Sequence, residues 1–201
     1  MDIKKAFNKP KIVAVCGDVN SAKSNLLYFF VSEISKRFKS NIFSYGLKID
    51  LKCVTEIYSV DELERIKDSI IIVDEFYSLF NLDDRKQKRM IENTFRFINH
   101  NNNILLLAGI QENFKKFVSA KVDLWFFKEC RLSDFINGSR AKAVITNYRG
   151  IEKGSAVLSI EKNNCLFFDG KSYGWFSVPY LRRFDTKKGN VKILGKKKCK
   201  K

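Results

Sequence analysis

Three uninterrupted apolar runs restrict the folds open to this chain: Ile12 to Cys16, Ile70 to Val73 and Ile104 to Ala108. A strand with one wet face alternates apolar and polar side chains. A strand that is apolar on both faces must be covered on both, which is the situation of a parallel sheet between layers of helix. The first run reads as a strand from Lys11 to Cys16. It is followed by Leu27, Phe30, Val31, Ile34 and Phe38, whose spacings of three and four put them on one helical face. Ser69 to Asp74 reads as a second strand, ending in a carboxylate, and Ile104 to Ala108 as a third. Between them, Asp83 to Asn99 carries Ile91, Thr94, Phe95 and Ile98 on one helical face.

The remaining elements are shorter. Ile42 to Ile49 and Cys53 to Ile57 are predicted strands. Asp61, with Glu64 three residues on, is the predicted N-cap and capping box of a brief helix through Ile66. A short helix around Asn113 to Val118 and a strand from Val122 to Phe127 follow. From Ala141 the pattern changes: Ala143 to Tyr148, Ala156 to Ile160 and Cys165 to Phe168 read as strands between turn signals at Arg149-Gly150, Lys153-Gly154 and Asn163-Asn164. The expected fold is therefore α/β, a central and mostly parallel sheet with a β-rich C-terminal extension. One domain over 1–181 is expected, with its core at about 11–128 and the extension at about 141–181, ahead of a basic tail over 182–201.

Between the first strand and its helix lies Gly17-Asp18-Val19-Asn20-Ser21-Ala22-Lys23-Ser24. The pattern G-x-x-x-x-G-K-[ST] lets backbone N–H groups converge on phosphate oxygens at a helix N-terminus, with Lys on the β- and γ-phosphates and the hydroxyl on Mg²⁺. Gly17, Lys23 and Ser24 match it, and Ala22 stands where a second glycine is usual. Asn20 suits the left-handed backbone that such loops require. The predicted nucleotide-binding set is Gly17, Asp18, Val19, Asn20, Ser21, Ala22, Lys23, Ser24 and Asn25. About fifty residues on, Asp74 and Glu75 end a buried strand, at the sheet edge where α/β proteins bind ligands. There Asp74 is suited to hold Mg²⁺ through water, beside the Ser24 hydroxyl on the ion, and Glu75 to polarise an attacking water. Gln111, just past the third strand, is a candidate sensor of the γ-phosphate. With Lys23 and Glu75 it makes up the predicted catalytic set, and the implied cofactors are ATP and Mg²⁺.

Charge supplies an independent clue. Thirty-eight Lys and Arg against twenty-two Asp and Glu leave +16, of which the last twenty residues carry +9, from ten basic residues and one acidic. Such a surplus favours a polyanion, either nucleic acid or an anionic membrane surface. Five scattered cysteines and a single histidine, His100, offer no zinc-ligand spacing and no disulfide framework. The apolar stretch near the N-terminus is too short for a signal peptide, and the longest apolar run, Ile104 to Ile110, is far short of the ~20 residues of a membrane span. A soluble, intracellular protein is expected.

The order of phosphate loop, apolar strand with Asp-Glu, basic helix and apolar strand followed by Gln resembles the FtsK/HerA superfamily of DNA-translocating ATPases. The small genome-packaging ATPases of archaeal and bacterial viruses are similar in size and layout. The resemblance spans Lys11 to about Lys128, with Asn99 to Leu107 leading to Gln111 and a weaker echo at Arg183-Phe184-Asp185-Thr186. It implies a RecA-like fold and ATP hydrolysis coupled to movement along double-stranded DNA. It also implies a ring of commonly six copies and, for a viral member, a capsid or membrane-associated partner. In such rings a neighbour supplies an arginine finger. Lys115, Lys116 and Lys121 occupy the segment after Gln111 where an arginine is expected, and Arg131, Arg140 and Arg149 are further candidates.

A translocase grips the phosphate backbone without regard to sequence. Three basic clusters qualify: Arg85, Lys86, Lys88 and Arg89; Lys115 and Lys116; and the tail from Lys187. The first directly follows the Asp74-Glu75 strand and is the favoured DNA contact. Trp125 and Trp175 are expected in the core or at a subunit contact. Competing readings are an AAA+-type replication ATPase, which needs a helical C-terminal lid, and a small-molecule kinase, which the Asp-Glu pair suits poorly. A filamentous-phage assembly ATPase of the zonula-occludens-toxin type would need a membrane span. A nucleic-acid-binding or virion-morphogenesis protein that keeps a degenerate loop for nucleotide is the reading from another class.

Overall fold

The apolar runs pair side by side at the centre of one eight-stranded sheet. The structure, a computed structural model, describes residues 6–37, 41–45, 48–49, 54–75, 84–148, 157–158, 160–178 and 190–191. Its strands are β1 (Lys11–Cys16), β2 (Asn41–Tyr45), β3 (Lys48–Ile49), β4 (Val54–Ile57), β5 (Ser69–Val73), β6 (Ile104–Gly109), β7 (Leu124–Phe127), β8 (Cys130–Arg131), β9 (Val157–Leu158), β10 (Asn164–Phe168), β11 (Tyr173–Ser177) and β12 (Asn190–Val191). Its helices are α1 (Lys23–Arg37), α2 (Val60–Leu63), α3 (Arg85–His100), α4 (Lys116–Ser119) and α5 (Arg140–Thr146). The order across the sheet is β11-β10-β7-β1-β6-β5-β2-β4. From β7 to β4 every pairing is parallel. The hairpin of β10 and β11 adds antiparallel at the β7 edge.

Side chains alternate between two apolar layers, as a two-sided sheet requires. Val13, Val15, Ile70, Ile72, Leu106 and Phe126 meet Leu26, Leu27, Phe30, Val31 and Ile34 of α1. On the other face Ala14, Cys16, Ile71, Val73, Leu105 and Leu107 meet Ile91, Phe95 and Ile98 of α3. Thr94, buried in the same stripe, satisfies its hydroxyl by donating to Met90 O at 3.0 Å. Fully burying each large apolar side chain is worth about 1.5–3 kcal/mol, so these stripes, rather than helix propensity, hold α1 and α3 against the sheet.

The run Asn101-Asn102-Asn103 fixes where β5 and β6 begin. Asn103 is buried, accepts the Ser69 N–H at 3.1 Å and donates Nδ2 to Ile66 O at 2.7 Å. Asn101 donates to Glu64 O at 3.0 Å, and the Asp68 N–H donates to Asn101 O at 2.8 Å. One polar segment thus satisfies the backbone of the turn entering β5.

Several expectations need correction. The brief helix is capped by Ser59, not Asp61, and Glu62, not Glu64, closes the capping box. Ala143 to Tyr148 is not a strand: Ala143 to Thr146 belong to α5, which Ser139 caps, Asn147 is the C-cap and Tyr148 follows it. Its Val144, Ile145 and Thr146 favour strands locally, yet Ala141, Val144 and Ile145 at spacings of three and four bury one helical face, and packing overrides propensity. Tyr173–Ser177 is not among the expected strands, and it forms the outer strand β11. Trp175 on it is 55% exposed, so it is not a core residue, whereas Trp125 is buried. Within the expected tail, Asn190–Val191 pairs in parallel with β3. Phe38, Arg149 and Arg183 to Thr186 lie outside the described residues.

Asn103→Leu is expected to cost about 2–4 kcal/mol in denaturant unfolding, because it strands one buried amide and one buried carbonyl. Exposed Arg96→Ala should stay within about 0.5 kcal/mol.

Candidate nucleotide site

Inserting β6 between β1 and β5 brings three strand tips together at one edge of the sheet. The loop leaves β1 with Gly17 N–H donating to Gly109 O of β6 at 3.3 Å, and Asp18 N–H donating to Glu129 O at 2.7 Å. A Cβ on Gly17 would lie 2.6 Å from Ser21 Oγ and 2.7 Å from Lys128 Cβ, so only glycine fits. Asn20 has φ 62° and Ala22 φ 68°, both left-handed. The position usually held by a second glycine therefore keeps a glycine-like backbone, at a cost to Ala22 of roughly 1–2 kcal/mol.

From this loop the sequence turns directly into α1, whose first turn contains no acidic residue. The first-turn amides of a helix have no carbonyl a turn back, and the helix dipole adds partial positive charge there. Lys23 is buried, with Nζ donating to Asp18 O at 2.8 Å across the loop. Ser24 Oγ donates to Asp74 Oδ2 at 2.8 Å, joining the loop to the end of β5. The Glu75 N–H donates to Asp74 Oδ1 at 3.0 Å, which turns the chain so that Glu75 is exposed with φ 49°. Burial pushes the Asp74 carboxyl above the usual carboxylate value, against the bonds from Ser24 and the Glu75 amide and the charge of Lys23.

The donor set fits a triphosphate with a divalent cation. Lys23 and the helix N-terminus provide positive potential, and Ser24 and Asp74 bring a hydroxyl and a carboxylate oxygen together as a hard cation prefers. Among the described residues, Ser21 Oγ and Gln111 Nε2 are buried without a hydrogen-bond partner, as are Ser44 Oγ and Trp125 Nε1 away from the loop, so the two at the site are free to accept or donate to a ligand. Gln111 sits in a short 3₁₀ turn (Gln111–Asn113) immediately after β6. Val19 is 71% exposed at the loop apex, and Asn25 is buried on α1.

The other predicted residues distribute as follows. Arg85, Lys86, Lys88 and Arg89 are all exposed at the start of α3, capped by Asp84, with Lys88 Nζ 5.2 Å from the centre of the Phe117 ring. Arg131 reaches back to its own loop, Nε lying 3.8 Å from Asp18 Oδ2. Arg140 donates to Ala120 O at 3.4 Å and lines a cavity of about 880 Å³ with Lys9, Lys11, Asp123 and Asp169. That cavity opens at the opposite ends of the strands and is separate from the phosphate loop. Lys128, which is not among the predicted site residues, is buried directly behind Gly17. Among the described residues no cluster of side chains forms a separate metal site, and no helix is long and apolar enough to cross a membrane.

No family model and no characterised protein sequence matches the chain. Solved structures do. The genome-packaging NTPase B204 of Sulfolobus turreted icosahedral virus 2, in complex with ATP-gammaS, superposes with a TM-score of 0.63 at 15% identity, over 90% of this chain and all of that one. The pCW3 conjugation coupling protein TcpA with ATPgS gives 0.55 at 15% identity, over 87% of this chain and 61% of that one. The Type VII secretion ATPase EccC of Thermomonospora curvata gives 0.58 at 13% identity, over 90% of this chain and 27% of that one. The chain thus has the RecA-like P-loop ATPase fold that the FtsK/HerA resemblance implied.

Ala22→Gly should preserve or tighten binding of ATP-γ-S, whereas Ala22→Val, a branched residue forced into a left-handed backbone, should cost about 1–3 kcal/mol of stability and weaken binding, both read by calorimetry. A raised folded-state pKa means that the folded chain keeps the Asp74 proton at pH values where the unfolded chain has released it. Ionisation of Asp74 therefore lowers stability as pH rises above the ordinary carboxylate range. Without magnesium or nucleotide, Asp74→Asn should melt above wild type at neutral pH, with the gap closing as the buffer is made acidic.

Proposed function

We propose that this chain is an ATP-hydrolysing motor that translocates double-stranded DNA as a ring, in the manner of a viral genome-packaging ATPase. The observation that carries the reading is the hydrogen bond from Ser24 to Asp74, which assembles the phosphate loop and the carboxylate pair into one site. Lys23 would bind the β- and γ-phosphates, and Ser24 and Asp74 would hold Mg²⁺. Bound Mg²⁺ supplies neutralisation of charge on the phosphate oxygens during transfer. Glu75, exposed at the strand end, orients and polarises the attacking water. Gln111, buried just past β6 with its Nε2 unpartnered, senses the γ-phosphate and reports hydrolysis to β6.

The basic start of α3 supports a DNA partner. Four exposed cations at the positive end of a helix repel one another and the dipole, an arrangement that a phosphate backbone relieves. The cluster begins ten residues after Glu75 in the sequence, on a helix whose apolar stripe packs against the same sheet. The fold is shared with a genome-packaging NTPase and a conjugation coupling protein, which supports this reading, and also with a secretion ATPase. Ring assembly and a capsid or membrane-associated partner belong to this reading. A second reading, nucleotide binding without turnover, is favoured by Ala22 in its strained conformation.

ATP hydrolysis measured with and without double-stranded DNA separates them. Wild type should hydrolyse ATP, and DNA should accelerate it; Lys23→Ala and Glu75→Gln should each lose at least about 100-fold. Hydrolysis that survives both substitutions would overturn the site, and a rate indifferent to DNA under oligomer-forming conditions would overturn the motor. Reversing Arg85, Lys86, Lys88 and Arg89 to Glu should weaken DNA binding and flatten its salt dependence, the log–log slope falling by about 0.9 for each phosphate no longer neutralised.

A further inference from the structure

Lys128 is a lysine buried to 1% exposure at the end of β7. Its Nζ donates to Lys162 O at 2.8 Å and also to Asn164 O, two carbonyls where the chain enters β10. Among the described residues no carboxylate pairs with it. Burial pushes its pKa down, and an apolar side chain would fill the space without the cost of desolvating a cation. Yet its surroundings give the cation a task. The Lys128 N–H donates to Cys16 O at 2.8 Å, and the next residue's carbonyl, Glu129 O, accepts the Asp18 N–H at 2.7 Å. Its Cβ stands where a side chain on Gly17 would otherwise project. One residue thus forms the back wall of the phosphate loop and clamps the start of the C-terminal hairpin.

We propose that Lys128 is a positioning residue of the nucleotide site, fastening the wall behind Gly17 and Asp18 to the β10–β11 hairpin so that loop and hairpin respond to nucleotide as one unit. The inference rests on the nucleotide reading of the loop and adds to it a mechanical partner. The hairpin is a suitable receiver. It forms one edge of the sheet, its outer strand exposes Trp175, and Val178 N–H closes its base on Asn163 O at 2.6 Å. A clamp made from side chain to backbone carbonyls, rather than by strand pairing, can shift with the loop without breaking the β7–β10 ladder.

Hydrogen exchange of the full-length chain with and without ATP-γ-S and Mg²⁺ tests it. In wild type, amides at 17–24 should slow on adding nucleotide, and those at 160–168 should slow with them by at least about threefold. Lys128→Met should lose the hairpin response and bind ATP-γ-S about tenfold more weakly, and Lys128→Arg, keeping a charged donor, should recover part of both. A lysine that only stabilised the fold would lower the melting temperature and leave the hairpin response intact, which overturns the proposal. Protection of the loop in wild type with no change at 160–168 overturns it too, even where Lys128→Met does not fold, while leaving nucleotide binding standing. If neither segment responds, the nucleotide reading falls and the coupling falls with it.

Discussion

The hydrogen bond from Ser24 to Asp74 joins residues fifty apart in the chain, and most of the fold can be read as what it takes to make it. Ser24 is in the first turn of α1, so its position depends on the apolar stripe that seats that helix on the sheet. Asp74 follows β5, so its position depends on the register of β5 against β2 and β6. β6 lies between β1 and β5, and the bond therefore reaches across its tip, where Gln111 begins the next turn. A slip of one residue in β5 would turn Asp74 to the opposite face and break the bond. The Asn103 clamp, at the other end of the same strand, opposes that slip.

Backbone strain is distributed in the same pattern. Among the described residues, five other than glycine have positive φ. Two of them, Asp68 and Asn102, are types that tolerate it, and they bond to each other at 2.8 Å away from the site. Asn20, Ala22 and Glu75 surround the phosphate loop and the carboxylate pair. Ala and Glu lack the short polar side chain that lets Asn and Asp tolerate such a backbone, so the two least comfortable residues are those shaping the cradle and presenting the exposed carboxylate. Strain and desolvation both concentrate at the candidate nucleotide site, which is the usual distribution in a site whose geometry is held by its surroundings.

Features encoded by short spacing are legible in the sequence. Doubly apolar runs require a covered parallel sheet, and the Gly17 to Ser24 pattern requires a strand before it and a helix after it. Both are present. What is not legible locally depends on contacts distant in sequence. Val144, Ile145 and Thr146 look like a strand until Ala141 and the core supply a helical face to bury. The cap at Ser59 rather than Asp61 turns on which backbone leaves the extended conformation first. Lys128 reads as an ordinary charged residue after a strand, because its partners lie more than thirty residues away, on a hairpin whose second strand has no strong pattern of its own. The signal available is a lysine following the fully apolar Leu124 to Phe127, where a charge must either reach solvent or find carbonyls.

The hairpin explains why that charge is retained. Without β10 the parallel sheet would end at β7, leaving an open edge of unpaired amides and carbonyls beside the phosphate loop. Antiparallel addition of β10 closes the edge, but it also buries the end of β7, including the backbone that bonds Cys16 and Asp18. An apolar residue at 128 would seal that junction more cheaply and leave the carbonyls of Lys162 and Asn164 without the ammonium. A lysine seals it with directional bonds, which hold the wall behind Gly17 at one height relative to the loop. The added extension and the phosphate cradle are therefore not separate modules placed side by side. The closure of the sheet edge holds one wall of the cradle, through the Lys128 and Glu129 backbone bonds to Cys16 and Asp18, while β6 and Asp74 hold the other.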